Sequence, residues 1–344
     1  MNQIRNDLKP MTIGDVLDYS VEAFKQNFKG LVLISLILYV PWIVFYSLTV
    51  NIFTDTKITD VLNIYRDLLS GSVDAINNMP QTSLLESAIT GLMTTLQFIY
   101  SITIKLVLNA AVIKLIYDYA ISGKVEVNTL SDALKLIKGC FKFMPKLMGN
   151  AVLFALIVLA AYFISAMLGA LLIMFPIIGI AAMNLPEVVL AIIIVVLILV
   201  VLIGVVLCIG FFAAKLIFGA NAIVIEGKSV TGSLGRSFYL TKGKFWHVAV
   251  ACIFAILLYY LFNTLLVGAT VLLAYVNKTA YIVFNTFAQM SSALIEPFIL
   301  VFITIMFINL KVQKEGLDLE VKMRKMIAEE KVETNNVNGE TADA

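Results

Sequence analysis

Histidine is almost absent from this chain: His247 is the only one in 344 residues. A lone imidazole makes neither a histidine dyad nor a histidine-based metal site. Coming directly after Phe245 and Trp246, it reads as part of an aromatic belt at headgroup level. Cysteine is scarce too. Cys140, Cys208 and Cys252 are scattered and form no CxxC, which argues against disulfides and thiolate metal sites and for small apolar packing roles. Charge is the third shortage, at 14% of residues against 60% hydrophobic. Soluble domains are roughly a quarter charged, so the expected solvent is lipid. A net charge of +2 gives no reason to expect a nucleic-acid partner. The glycines of EGKSVTGSLGRS (226–237) do not match GxxxxGK[ST] and follow no strand, so they predict a turn and not a phosphate-cradling loop.

What the chain does have is apolar length. Runs at 31–50, 91–119, 148–175, 188–218, 246–273 and 280–310 all reach the roughly 20 residues a bilayer crossing needs. A polar and amphipathic stretch precedes the first run and no small-residue cleavage site follows it, so it is expected to be a retained span. Basic residues gather in alternate connections: Arg5, Lys9, Lys25 and Lys29; Lys124, Lys135, Lys138, Lys142 and Lys146; Lys228, Arg236, Lys242 and Lys244; Lys311, Lys314, Lys322, Arg324, Lys325 and Lys331. The other connections hold only Lys57, Arg66 and Lys278. By the positive-inside rule this predicts six spans with both termini cytosolic, in a bacterial cytoplasmic membrane.

The basic connections share a pattern. Residues 12–29 place Ile13, Val16, Leu17, Val21, Phe24 and Phe28 on one helical face, and Thr12 with Asp15 resembles a capping box. Residues 129–147 and 229–246 repeat the design, with Leu17, Leu134 and Leu234 in register. The expected fold is an all-α integral membrane protein of six transmembrane helices, arranged as three units of an interfacial amphipathic helix plus a two-span hairpin. The units fall at about 1–120, 121–220 and 221–314 within one polytopic domain, 1–325. Residues 326–344 form a charged, partly disordered tail. In the long outer connection, 51–90, acidic residues outnumber Lys57 and Arg66, and Leu62, Tyr65, Leu68 and Leu69 suggest a short surface helix.

Three blocks carry a family resemblance: KPMTIGDVLDYSVEAFKQNFKGL near the start, IEGKSVTGSLGRSFYLTKGKFW before the fifth span, and NLKVQKEGLDLE at the exit of the sixth. They resemble the membrane domain attached to some bacterial glycerophosphoryl diester phosphodiesterases, which also occurs as a stand-alone membrane protein. The resemblance implies the membrane module without the enzyme, because that enzyme's paired histidines and barrel pattern have no counterpart here. Where the family tends to carry a Tyr-Asp pair before a basic residue, this chain has Ile308, Asn309 and Lys311.

Polar residues inside apolar runs are the remaining candidates. Lys105 and Glu296 lie at similar depths from the outer ends of their spans, and a charge near mid-bilayer is rarely left unpaired. Pro297 predicts a kink beside Glu296. Lys105, Asn109, Glu296, Pro297 and Asn263 therefore form either a polar cavity or an ion-pair lock. Lys114 and Lys215 read as snorkelling residues. Lys25, Lys29, Lys142, Lys146, Arg236, Lys242, Lys244 and Trp246 are candidate lipid-headgroup contacts. No catalytic, metal or cofactor site is expected, and Glu315, Asp318 and Glu320 read as a solvated helix face. The leading expectation is a non-enzymatic membrane protein that engages anionic lipid or assembles a membrane partner through its inner-leaflet helices. The alternative is a permease for a small or amphiphilic solute at Lys105 and Glu296.

Overall fold

A computed structural model describes residues 9–53, 83–125, 127–181, 186–274, 278–317, 319 and 323. Among these the chain is all-α, without a strand. In chain order the helices are α1 (Ile13–Gln26), α2 (Phe28–Leu38), α3 (Val40–Phe53), α4 (Leu84–Ile102), α5 (Ile104–Ser122) and α6 (Leu130–Cys140). After a 3-10 turn, Phe141–Phe143, come α7 (Met144–Ala181), α8 (Glu187–Leu216), α9 (Gly219–Glu226), α10 (Val230–Thr241), α11 (Phe245–Ala274), α12 (Lys278–Ile295) and α13 (Pro297–Glu315). The surface helix expected within 51–90, with Lys57 and Arg66, and the tail 326–344 lie outside the described residues.

Five stretches are long and apolar enough to cross a membrane: Leu84–Ser122, Leu130–Met174, Ile192–Glu226, Phe245–Gly268 and Thr279–Glu315. The first apolar run is not one straight helix. It is the pair α2 and α3, bent by 49°. Pro41 has no N–H to give to the carbonyl one turn back, so the ladder breaks there. The Tyr100 hydroxyl donates to the Leu38 carbonyl at 3.2 Å and satisfies one of the freed groups.

The three short amphipathic helices start alike. Thr12 and Asp15 at α1 form a reciprocal cap, and so do Thr129 and Asp132 at α6. At α10, Ser229 accepts from the Gly232 N–H, and glycine offers no carboxylate in return. Such caps satisfy donors that have no partner in the first turn. Thr12, Thr129 and Ser229 stand equally far ahead of Leu17, Leu134 and Leu234, so the leucine register is also the register of the helix starts.

The chain packs as two compact units. One comprises Met1–Met144 with Phe254–Ala344. Its core is α5 and α13, buried through Val107, Ala110, Ile113 and Ile116 on one and Val301, Phe302, Ile305 and Ile308 on the other. Helix α1 runs antiparallel along α13. The Phe24 and Phe298 rings meet at 5.7 Å, and the Asn309 side chain holds both backbone groups of Met11. The buried stripe of α1 is Val16, Ser20 and Ala23, small enough for close approach, while Phe28 is left exposed.

The other unit is Pro145–Ile253. Gly169 of α7 lies where any Cβ would run into Val201 of α8. Beyond that contact the pair is open: Ile192, Val195, Leu199, Leu202 and Val206 are exposed, and none of the most apolar window of Ile192–Glu226 is buried. Helices α9 and α10 are tied down firmly. Arg236 grips Glu226 through two hydrogen bonds of 2.8 and 2.7 Å. Ser233 donates to Asn150, and Ser237 bridges the Phe218 N–H and the Lys215 carbonyl.

Candidate functional site

Lys105 Nζ stands 2.6 Å from Glu296 Oε1, and each side chain keeps about a quarter of its surface accessible, 28% and 25%. What surrounds the pair is built from helix interruptions. Helix α12 passes into α13 at Glu296, where Pro297 takes the first helical position and has no N–H to give. Helix α4 passes into α5 at Thr103, whose backbone leaves the helical region. No proline stands there. The Ser101 and Thr103 hydroxyls donate back to the Phe98 and Ile99 carbonyls, a local competition that bends helices. The third interruption is Tyr39, between α2 and α3. Three breaks therefore meet around one ion pair.

Tyr39 makes the meeting point chemical. The Lys105 ammonium lies 5.3 Å from its ring centroid, within cation–π range. Tyr39 stacks on Tyr100, and Tyr100 on Trp42, at 6.1 and 4.9 Å. The Trp42 indole N–H donates to Gln97. Beside the pair is a half-open cleft of about 130 Å³, lined by Tyr39, Lys105, Asn109 and Glu296, with Leu108, Pro297, Ile299 and Leu300 as its apolar wall.

Asn263 is placed elsewhere. It accepts from the Ser292 hydroxyl at 2.6 Å, one turn before Glu296, and does not line the cleft. It belongs to a polar seam between α11 and α12. Thr270 Oγ1 lies 3.5 Å from Asn285 Oδ1, Asn263 pairs with Ser292, and Tyr259 feels the charge of Glu296. The two hydrogen-bonded pairs share one antiparallel register, which sets Tyr259 level with Glu296. On the other side of α12, Thr286 meets Ser47, which also accepts from Asn51. Below the pair the character changes, since the buried side chains of α13 from Val301 to Ile308 are apolar apart from Thr304, whose hydroxyl donates to the Leu300 carbonyl.

No family model, curated protein or solved structure matches this chain. Among the described residues no three histidines, cysteines or carboxylates gather as a metal site would require.

The headgroup candidates divide into two sets. Lys25, Lys29, Lys142, Lys242, Lys244 and Trp246 are exposed, Trp246 by 74%. Arg236 and Lys146 are engaged within the protein. Arg236 binds Glu226, with side-chain exposures of 17% and 12%, and Lys146 donates to the Gly227 carbonyl at 3.1 Å, closing the end of α9. Neither pairing is legible in the sequence, because each joins residues on different helices. Replacing Arg236 by Met should deprive the mostly buried Glu226 carboxylate of its two-bonded guanidinium, costing about 2–4 kcal/mol. Thermal unfolding of the purified protein reads that loss, and an unchanged midpoint would show that the pair adds nothing.

Proposed function

We propose that this chain is a six-span integral membrane protein with both termini cytosolic, which engages membrane lipid on the inner leaflet and catalyses no reaction. The observation that carries the reading is where greasy surface stops. In the unit containing α1–α6, exposed large apolar side chains cover α3, α4 and α12, among them Phe45, Leu48, Leu92, Phe98, Val283 and Phe287. Past the ion pair, α5 from Lys105 onward and α13 carry none. Alongside α13 runs α1, which exposes Asp15, Asp18, Glu22 and Lys25, while α11 stays apolar and exposed at Phe254, Leu257 and Leu258.

Depth follows from the same boundary. Helices α4 and α12 supply 19 and 18 residues on the outer side of the pair, about 27–29 Å at 1.5 Å each. That is close to the whole hydrocarbon thickness of about 30 Å. The Lys105–Glu296 pair thus has close to a full hydrocarbon thickness of α4 and α12 on its outer side, while the register of the α11–α12 seam sets Glu296 level with the middle of α11, Phe245–Ala274.

The exposed lysines and Trp246 give the protein its hold on anionic headgroups, at about 1 kcal/mol per basic residue near the surface. The resemblance to the phosphodiesterase membrane domain accords with this reading. Full-length protein in liposomes containing phosphatidylglycerol should lose bound anionic lipid when Lys25, Lys29, Lys142, Lys242 and Lys244 are replaced by Gln. Unaltered lipid retention would remove the proposal. Cysteines placed singly at the amino terminus and within 124–146 should both resist an impermeant thiol reagent added to intact cells, and labelling of only one would break the topology.

A permease reading is favoured by a separate observation, the convergence of three interrupted helices on a charged pair. Interrupted spans of this kind line cavities in transporters.

A further inference from the structure

The geometry points to a zwitterionic headgroup, a phosphate linked to a primary amine, as the occupant of the cleft beside Lys105 and Glu296. This inference rests on the inner-leaflet lipid reading above and names the ligand class for its most defined site.

The first ground is charge balance. Lys105 and Glu296 sum to zero and meet at 2.6 Å. An anion that took Lys105 would strip Glu296 of its partner, and breaking a buried pair one-sidedly is strongly unfavourable. A cation that took Glu296 would strand Lys105 in the same way. A zwitterion inserted between them satisfies both: its phosphate oxygens accept from the Lys105 ammonium while its amine donates to the Glu296 carboxylate. A primary amine has the N–H groups for that bond, which a quaternary amine lacks.

The second ground is the cleft itself. It holds about 130 Å³ next to the pair, half open, with the Asn109 amide as a further polar group and Leu108, Pro297, Ile299 and Leu300 as an apolar wall. That combination takes a small polar group with hydrocarbon attached, as ligand sites commonly do.

The test uses full-length protein in nanodiscs and spin-labelled phospholipids with identical chains and three headgroups: phosphoethanolamine, phosphocholine and phosphoglycerol. The wild type should hold the phosphoethanolamine lipid about tenfold over either of the others, a difference of about 1.4 kcal/mol. The double variant Lys105→Met/Glu296→Gln, which leaves no lone charge, should lose that preference while eluting as a folded monodisperse species. Displacement by soluble glycerophosphoethanolamine would support the same chemistry and identify the free diester as a source. Resistance to it would identify the intact lipid. A preference for phosphoglycerol that survives in the double variant overturns the inference while leaving inner-leaflet lipid binding intact. No retention of any headgroup above the bulk lipid overturns both.

Discussion

Replacing Glu296 by Gln, or Lys105 by Met, is expected to destabilise the protein by about 2–3 kcal/mol each, and combining the two to recover part of the loss. Removing one partner of a fully buried pair costs about 3–5 kcal/mol, because the other charge stays behind without compensation. The figure is discounted here because each side chain retains about a quarter of its exposure. In the double variant neither charge remains, so a positive coupling of about 1–2 kcal/mol should separate it from the sum of the singles. Glu296→Gln keeps the side-chain shape and a polar end for Lys105, so this change should be milder than Glu296→Leu. Thermal unfolding in detergent, with all of these species measured side by side, decides this. Additive losses would mean that the pair is incidental to the meeting of the three breaks.

A second large effect is expected far from the pair. Asn309 is fully buried. It accepts from the Met11 N–H at 2.9 Å and donates to the Met11 carbonyl at 3.1 Å, and Gln313 adds a bond of 3.2 Å to that carbonyl. Asn309→Leu would leave the N–H with no acceptor and cost about 1–3 kcal/mol, released chiefly as loosening of α1 from α13. Hydrogen exchange over residues 11–26 should accelerate while α7 and α8 remain unaffected. Asn309→Asp should fall between the two, since a carboxylate still accepts from the N–H but repels the carbonyl. Unchanged protection of α1 in the Leu variant would show that Phe24, Val16 and Ala23 hold the helix unaided.

Much of this can be read beforehand where one residue contradicts its surroundings. Lys105 and Glu296 are charges within apolar runs, and Pro297 is a missing donor within a helix, so each announces itself. The cap at Thr12 is visible for the same reason, as a polar pair at the edge of a periodic pattern. The aromatic stack is not. Tyr39, Trp42 and Tyr100 sit in ordinary membrane-like sequence, and only the bend before Pro41 and the interruption at Thr103 bring them together. Hydroxyl back-bonding at Thr103 has no spacing signature, because serine and threonine do the same in unbroken helices. Polarity alone groups Asn263 with the pair, and its true partner, Ser292, depends on a helix–helix register that one sequence does not encode locally. The departure at Asn309 is legible as a departure, but its purpose requires seeing Met11.

The seam between α11 and α12 has a mechanical consequence. Asn263 and Thr270 on one helix face Ser292 and Asn285 on the other, while Gln289 and Glu296 each follow one turn behind. Sliding α12 outward by one turn, about 5–6 Å, would set Gln289 against Thr270 and Glu296 against Asn263. Both new neighbours are again polar. Polar side chains on α12 thus recur at one-turn spacing along the line that faces α11, so a slide of one turn would not set an apolar side chain against Asn263 or Thr270.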